Sequence, residues 1–308
     1  MSTEKFLRLI RPEIIAGVGS TKRMSHDRVI DRLSDLEFVT RSITGSEKPP
    51  SLEIVLQVID EELLYHLLAG EANRFFMAAI LTKSRSLQVQ PQNVAWQTVE
   101  HYYSAYYAVH YLMRMTGRSI TSLDALAVKE IKRNFLSSDE HPTIQEGLYQ
   151  LSYDVSSKNL TLKKQPKGGG SHKDAWAIWI QLLDAMVLTS KTDFVEYATE
   201  SVDVTAHKKF ILRSTGQYRP PEIRGLINYQ FKGNCWQFEK NSKSKIETLQ
   251  REIMDGSPLI DSGIDTRALV RNNQFIYSLA VLAFKSMAKN YPKSIARSIG
   301  NIYAEIID

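Results

Sequence analysis

An all-α fold, a multi-helix bundle, is what this sequence predicts. Two observations carry that expectation. Apolar residues recur at helical spacing through most of the chain, while strand signal is slight. Proline and glycine also punctuate the runs closely enough to join antiparallel neighbours through short loops.

Taken in order, the first twenty-five residues read as a weakly structured arm, with Gly17, Gly19 and Ser20 after a short apolar segment. Val29, Ile30, Leu33, Leu36 and Val39 predict a helix over 26–44, and the stretch SEKPPS (46–51) ends it. Ser51 is placed to cap a helix carrying Ile54, Val55, Val58, Ile59 and Leu63, with Gly70 dividing it from a second over 71–86. Pro91 ends that connection, and a long amphipathic helix follows from Val94 to Met115, closed by Gly117. Further helices are expected from Thr121 or Ser122 to Phe135 and over 143–154. KNLTLKKQPKGGGSHKD (158–174) reads as a basic loop, and Ala175–Leu188, with Trp176, Trp179, Leu182, Leu183 and Met186, as a buried helix. Over 200–240 strand and helix remain open, although RPPEIRGLINYQF suggests a helix entered through a Pro-Pro turn. Two more helices, 265–289 and 292 to the end, complete the set. The organisation expected is an N-terminal arm and helix (1–50), a helical core (51–157), the basic glycine-rich loop (158–174) and a C-terminal helical region packed on the core (175–308).

Composition narrows the function classes. Hydrophobic residues make up 43% and charged residues 24% of 308, the balance of a globular chain. No apolar run reaches the length of a membrane span, and MSTEKFLRLIRPE does not read as a secretory signal. The single cysteine, Cys235, excludes an internal disulfide framework and points to the cytoplasm. The histidines are scattered and form no HExxH pair, so neither a metal nor a cofactor is expected. The net charge of +5 favours a polyanionic partner. GxSxG, Walker and dinucleotide-binding motifs are absent from the sequence.

The most informative segment is AWQTVEHYYSAYYAVHYLMRMTGRS (95–119). On a helix, Val99, Tyr102, Tyr103, Tyr106, Val109, His110 and Met113 share one broad face, and Ser104, Ala105 and Ala108 let a neighbouring helix approach closely. As residues alone, these make a tyrosine-rich core helix. As a pattern, Tyr102, Tyr103, Ala105, Tyr106, Ala108, His110, Leu112 and Gly117 resemble the second helix of HEPN domains, and EANRFFMAAILTKSRS (71–86) resembles the first. The resemblance spans residues 70–155 and makes a HEPN-like core with additional C-terminal helices the expected bundle.

That resemblance implies RNA as partner, a homodimer, and a role in bacterial defence or a toxin–antitoxin system. It also implies metal-independent ribonuclease chemistry, in which an arginine, often followed by asparagine, is paired with a histidine about four to six residues on. Histidine moves a proton near neutral pH, and arginine stabilises charge on the phosphorus centre. No arginine here has a histidine at that spacing. Arg133-Asn134 meets His141 too late, Arg224 leads to Asn228 and Tyr229, and Arg271-Asn272 leads to Tyr277. The candidate catalytic set is therefore Arg271, Asn272 and Tyr277 with His110. Lys163, Lys164, Lys167, His172 and Lys173 are candidates for nucleic-acid contact. Two other readings stand beside this one: a non-catalytic helical adaptor that binds a partner protein, and a small-molecule sensor whose pocket the tyrosine helix lines.

Overall fold

The computed structural model describes residues 3–47, 50–88, 93–136, 143–165 and 171–307. It is not all-α: helix accounts for 62% and strand for 14%, and the strands form one five-stranded antiparallel sheet. The helices are α1 (Thr3–Ile10), α2 (Ala16–Ser20), α3 (Glu61–Ser86), α4 (Val94–Met115), α5 (Ala125–Arg133), α6 (Ser171–Ser190), α7 (Phe194–Ile211), α8 (Arg219–Gln230), α9 (Lys243–Asp255), α10 (Thr266–Asn290), α11 (Ile295–Ile302) and α12 (Ala304–Ile307). The strands are β1 (Phe38–Glu47), β2 (Pro50–Val58), β3 (Arg118–Leu123), β4 (Gly147–Asp154) and β5 (Asn159–Lys164), in the order β1-β2-β5-β4-β3. None of the described helices is long and apolar enough to cross a membrane.

Each helix expected over 26–63 and 143–154 gives way, wholly or in part, to strand, and the reason is the same. Leu52, Ile54, Leu56 and Val58 are buried while the residues between them are not, a period of two that a helical wheel reads as a broad apolar face. Tyr149, Leu151 and Tyr153 repeat it on β4, as do Leu160 and Leu162 on β5. Leu56 lies opposite Leu160, and Leu162 opposite Leu151, so the buried rows of adjacent strands meet on one face. Pro50 is tolerated because it opens β2 rather than interrupting it. The stretch read as a basic loop is a strand followed by the first turn of α6; Lys167 lies outside the described residues. The N-terminal arm is likewise structured, with Phe6, Leu9 and Ile10 of α1 fully buried.

The helix boundaries were more legible. α4 occupies the residues expected, with Gly117 at φ +69°, and α10 runs within a residue of its expected span. Gly70, read as a break, lies inside α3. It is there for contact: a Cβ at that position would stand 2.2 Å from Ser25 O, so the 21–29 segment can lie directly on the helix. α3 and α4 run antiparallel, as the pairs Arg85–Glu100, Ala79–Ser104 and Phe76–Tyr111 show. α10 packs on the same pair, with Phe284 stacked on Phe76 at 3.8 Å.

Sheet and helices are joined at Glu61, in the first turn of α3. Its carboxylate accepts from Tyr65 Oη (2.7 Å) and Tyr153 Oη (2.6 Å) and pairs with Lys158 Nζ (2.7 Å), in the β4–β5 turn. The lysine and the two phenols hold the Glu61 carboxyl at a pKa of about 2. A depressed pKa stabilises the fold above the ordinary range and is lost as pH falls from 4.5 towards 2. Glu61→Gln is therefore expected to cost about 1.5–3 kcal/mol at neutral pH and to flatten the acid limb of the stability curve, read by urea unfolding between these pH values. Gly70→Ala should lower the unfolding midpoint through overpacking, by about 1–3 kcal/mol, with Ala72→Gly as a helix-propensity control.

Candidate functional site

α4 is enclosed by α3, α6, α8, α9, α10 and β3, so its polar side chains have to find partners inside the protein. Tyr102, Tyr106 and His110 follow one another at intervals of four along one stripe. His172, from the first turn of α6, stacks on Tyr106 at 4.3 Å. Tyr106 in turn meets His110 edge-on at 4.5 Å, and His110 stacks on Phe75 at 4.6 Å. The two histidines singled out in the sequence thus share one aromatic column.

Their protonation is set by their neighbours. Arg114 Nη1 donates to His110 Nδ1 (2.7 Å), while Arg114 Nε donates to Glu71 Oε2 (3.0 Å). Glu71 Oε1 accepts from the backbone N–H of Val29 (3.0 Å). Burial, then the adjacent Arg114 charge, holds His110 well below the ordinary histidine range. It is a neutral imidazole with Nδ1 already occupied. At the other end, Trp176 Nε1 donates to Tyr102 Oη (3.4 Å), leaving the Tyr102 proton for His172 Nδ1 (2.9 Å). His172 is also lowered, by burial and then by Arg224. With Tyr102 as donor to Nδ1, Nε2 is the ring nitrogen left to carry the proton, and among the described residues it has no hydrogen-bond partner.

Arg224 of α8 completes the group. Its guanidinium lies over the rings of Tyr229 (5.5 Å), Tyr102 (5.8 Å) and Tyr103 (5.9 Å), and Nη1 donates to Tyr229 Oη (3.2 Å). It has no carboxylate partner among the described residues, and its Nε has no hydrogen-bond partner. His172, Tyr103 and Tyr107 are partly exposed and Tyr229 is open to solvent, so the column reaches the surface here. A cation beside a half-exposed N–H donor, framed by aromatic faces, suits an anion joined to a planar group.

The other expected residues lie elsewhere. Arg271 is held by two carboxylates, with Glu252 2.7 Å from Nη2 and Asp261 3.0 Å from Nη1. Asn272 is fully buried: its Nδ2 donates to Asp261 O and Ala268 O, and its Oδ1 accepts from His207 Nδ1 (2.7 Å). Trp179 Nε1 donates to His207 Nε2 (3.0 Å), and burial holds that histidine at a pKa of about 4. Tyr277, raised by burial to a pKa of about 12, lies 5.9 Å from Lys83 Nζ. None of the three contacts His110. Lys163 is exposed on β5 opposite Glu53, Lys164 Nζ donates to Glu146 O (2.7 Å), and Lys173 is exposed beside His172 on α6. Arg224 with Tyr229 was visible in the sequence as an arginine leading to a tyrosine. The Glu71–Arg114 pair, 43 residues apart, had no local signal.

Lys83 is only 4% exposed and, among the described residues, its ammonium makes one long hydrogen bond, to Ile253 O at 3.5 Å. Burial lowers its pKa from 10.5 to about 7. The unfolded chain then binds more protons between those values, so stability should rise with pH across that window, by at most about 1.4 kcal/mol per unit. Lys83→Met is expected to be more stable than the parent at pH 7 and to lose this slope, measured as urea midpoints from pH 6.5 to 9.5.

No protein-family model, curated protein or solved structure matches this chain.

Proposed function

We propose that this protein binds RNA, and that His172 and Arg224 hold a phosphodiester at the outer end of the tyrosine column. The supporting observation is the convergence of an arginine without a carboxylate partner and an imidazole with Nε2–H available, both set against tyrosine rings. Arginine presents a planar fork to phosphate oxygens, and the neutral imidazole adds one N–H donor without needing to be charged. The net charge of +5 supplies the long-range attraction.

Binding fits the site better than cleavage does. A histidine acting as general base needs an available ring lone pair. The His110 Nδ1 lone pair is taken by Arg114 and that of His172 Nδ1 by Tyr102. His110 lies behind Tyr106, away from the surface end of the column. Arg271, Asn272 and Tyr277 are engaged in internal pairs and form no second half of a catalytic motif.

Fluorescence anisotropy with a labelled single-stranded RNA tests this reading. Arg224→Ala and His172→Ala should each weaken binding about tenfold or more, in line with the loss of a charge-assisted contact. Affinity should fall with salt, at a log–log slope of about 0.7 per phosphate neutralised, and the RNA should be recovered intact in EDTA. Absence of binding by the parent protein, or an Arg224→Ala variant that binds as the parent does, would sink the proposal.

A further inference from the structure

Past Tyr229 the chain builds a second aromatic group that the site above does not use. α8 ends at Phe231, whose φ of +53° and ψ of +42° place a bulky residue in the left-handed region. Such a backbone is strained for a residue with a side chain and directs that side chain out of the helical path. The Phe231 ring meets Trp236 at 5.5 Å and Phe238 at 6.3 Å. Trp236 stacks on Phe238 at 5.4 Å with 20° between planes, and meets Trp96 of α4 at 6.1 Å. Phe238 is 69% exposed, Phe231 53% and Trp96 47%, unusual values for large rings gathered in one place.

The loop that carries them is held in shape. The Glu239 carboxylate accepts from the backbone N–H groups of Asn234 (2.9 Å), Cys235 (2.8 Å) and Trp236 (2.9 Å). Trp236 Nε1 donates to Ile227 O (3.1 Å), tying the indole back to α8. Between Phe231 and Lys245 the charged residues are Lys232, Lys240, Lys243 and Lys245, all exposed, and Glu239, which is occupied with the backbone. The loop that carries the rings thus also carries four exposed lysines, of which Lys245 donates to Asn234 Oδ1 (3.0 Å), and it has no available carboxylate.

Pre-ordered aromatic faces in a loop with exposed lysines are the arrangement that stacks bases while attracting the backbone that joins them. The group is also continuous with the anion site. Trp96, Tyr103 and Tyr107 lie seven and then four residues apart on one stripe of α4, Arg224 covers Tyr103, and Trp96 meets Trp236.

We propose that Trp96, Phe231, Trp236 and Phe238 form a stacking platform for the unpaired bases of single-stranded RNA, whose backbone continues to Arg224 and His172. This inference rests on the RNA-binding reading and adds to it a preference for single strands. A duplex buries its base faces in its own stack and presents only phosphates and groove edges to such a surface.

The test uses the full chain with three probes: a labelled single-stranded RNA of about 15 nucleotides, the same sequence as a duplex, and heparin, which offers charge without bases. The single strand should bind tighter than the duplex and quench tryptophan fluorescence. Phe238→Ala, at a largely exposed position, should weaken single-strand binding about fivefold or more and leave heparin binding unchanged. Trp236→Ala should do the same and Trp236→Phe should restore it. Circular dichroism and the unfolding midpoint check that each variant is folded.

Four outcomes would overturn the platform. Phe238→Ala may bind the single strand as the parent does while Arg224→Ala does not, which leaves the phosphodiester site standing alone. Phe238→Ala may weaken single strand, duplex and heparin equally, which reduces the patch to a charge effect. Phe238→Ala may shift the sedimentation coefficient with no change in RNA affinity, which makes the patch a protein interface. The parent protein may bind no RNA at all, which removes the platform and the function proposed above together.

Discussion

The enclosure of α4 is the constraint on which the rest of the structure depends. A helix packed against five others and a strand can reach water at few points, yet this one carries two histidines, an arginine and a run of tyrosines. An unpaired buried polar group costs about 1–3 kcal/mol, and apart from Gln97 Oε1 and His101 Nδ1 the buried polar side-chain atoms of α4 are matched. Glu71 neutralises Arg114, Arg114 occupies His110, and Ser104 Oγ donates to Ala79 O across the α3–α4 contact. Ala105 and Ala108, both fully buried, permit the approach that makes these bonds short. The polar chain along α4 is thus part of how the helix is packed, and it meets solvent only towards His172 and Arg224.

That arrangement also accounts for what the histidines can do. Buried imidazoles in this protein are neutral, and their hydrogen bonds assign the tautomers: His207 lies between Trp179 and Asn272, and His110 accepts from Arg114. Where Nδ1 is the accepting nitrogen, as in His110 and His172, the imidazole is a directional donor through Nε2 rather than a base. The physical chemistry of the column therefore favours recognition, and its surface end is where recognition has room to occur.

The sequence was legible where one period dominated. α4 and α10, long and amphipathic, fall where the apolar spacing puts them, as does the buried tryptophan helix within α6. The sheet was not legible. Rows such as Leu52-x-Ile54-x-Leu56-x-Val58 can be fitted to a helix when β-branched residues are not weighed against helical spacing. Of the candidate site residues, His110 and His172 do meet, through Tyr106, although they are 62 residues apart. The Arg271–Asn272–Tyr277 set was read from spacing along one helix. The partners of Arg271, Glu252 and Asp261, come from segments whose approach no local pattern announces.

The strand order has a kinetic side. β2 pairs with β5, the central strand of the sheet, Leu56 meeting Leu160, although the whole α3–α4 hairpin lies between them in the chain. The helical hairpin is local and closes on the timescale of a short loop. The sheet has to await the return of β4 and β5, and closing so long a loop before any ladder bonds form slows the search. During synthesis β1 and β2 are made before β5, the strand that pairs with the other edge of β2. Until those residues are added, the ladder edge of β2 that β5 will occupy has no partner strand.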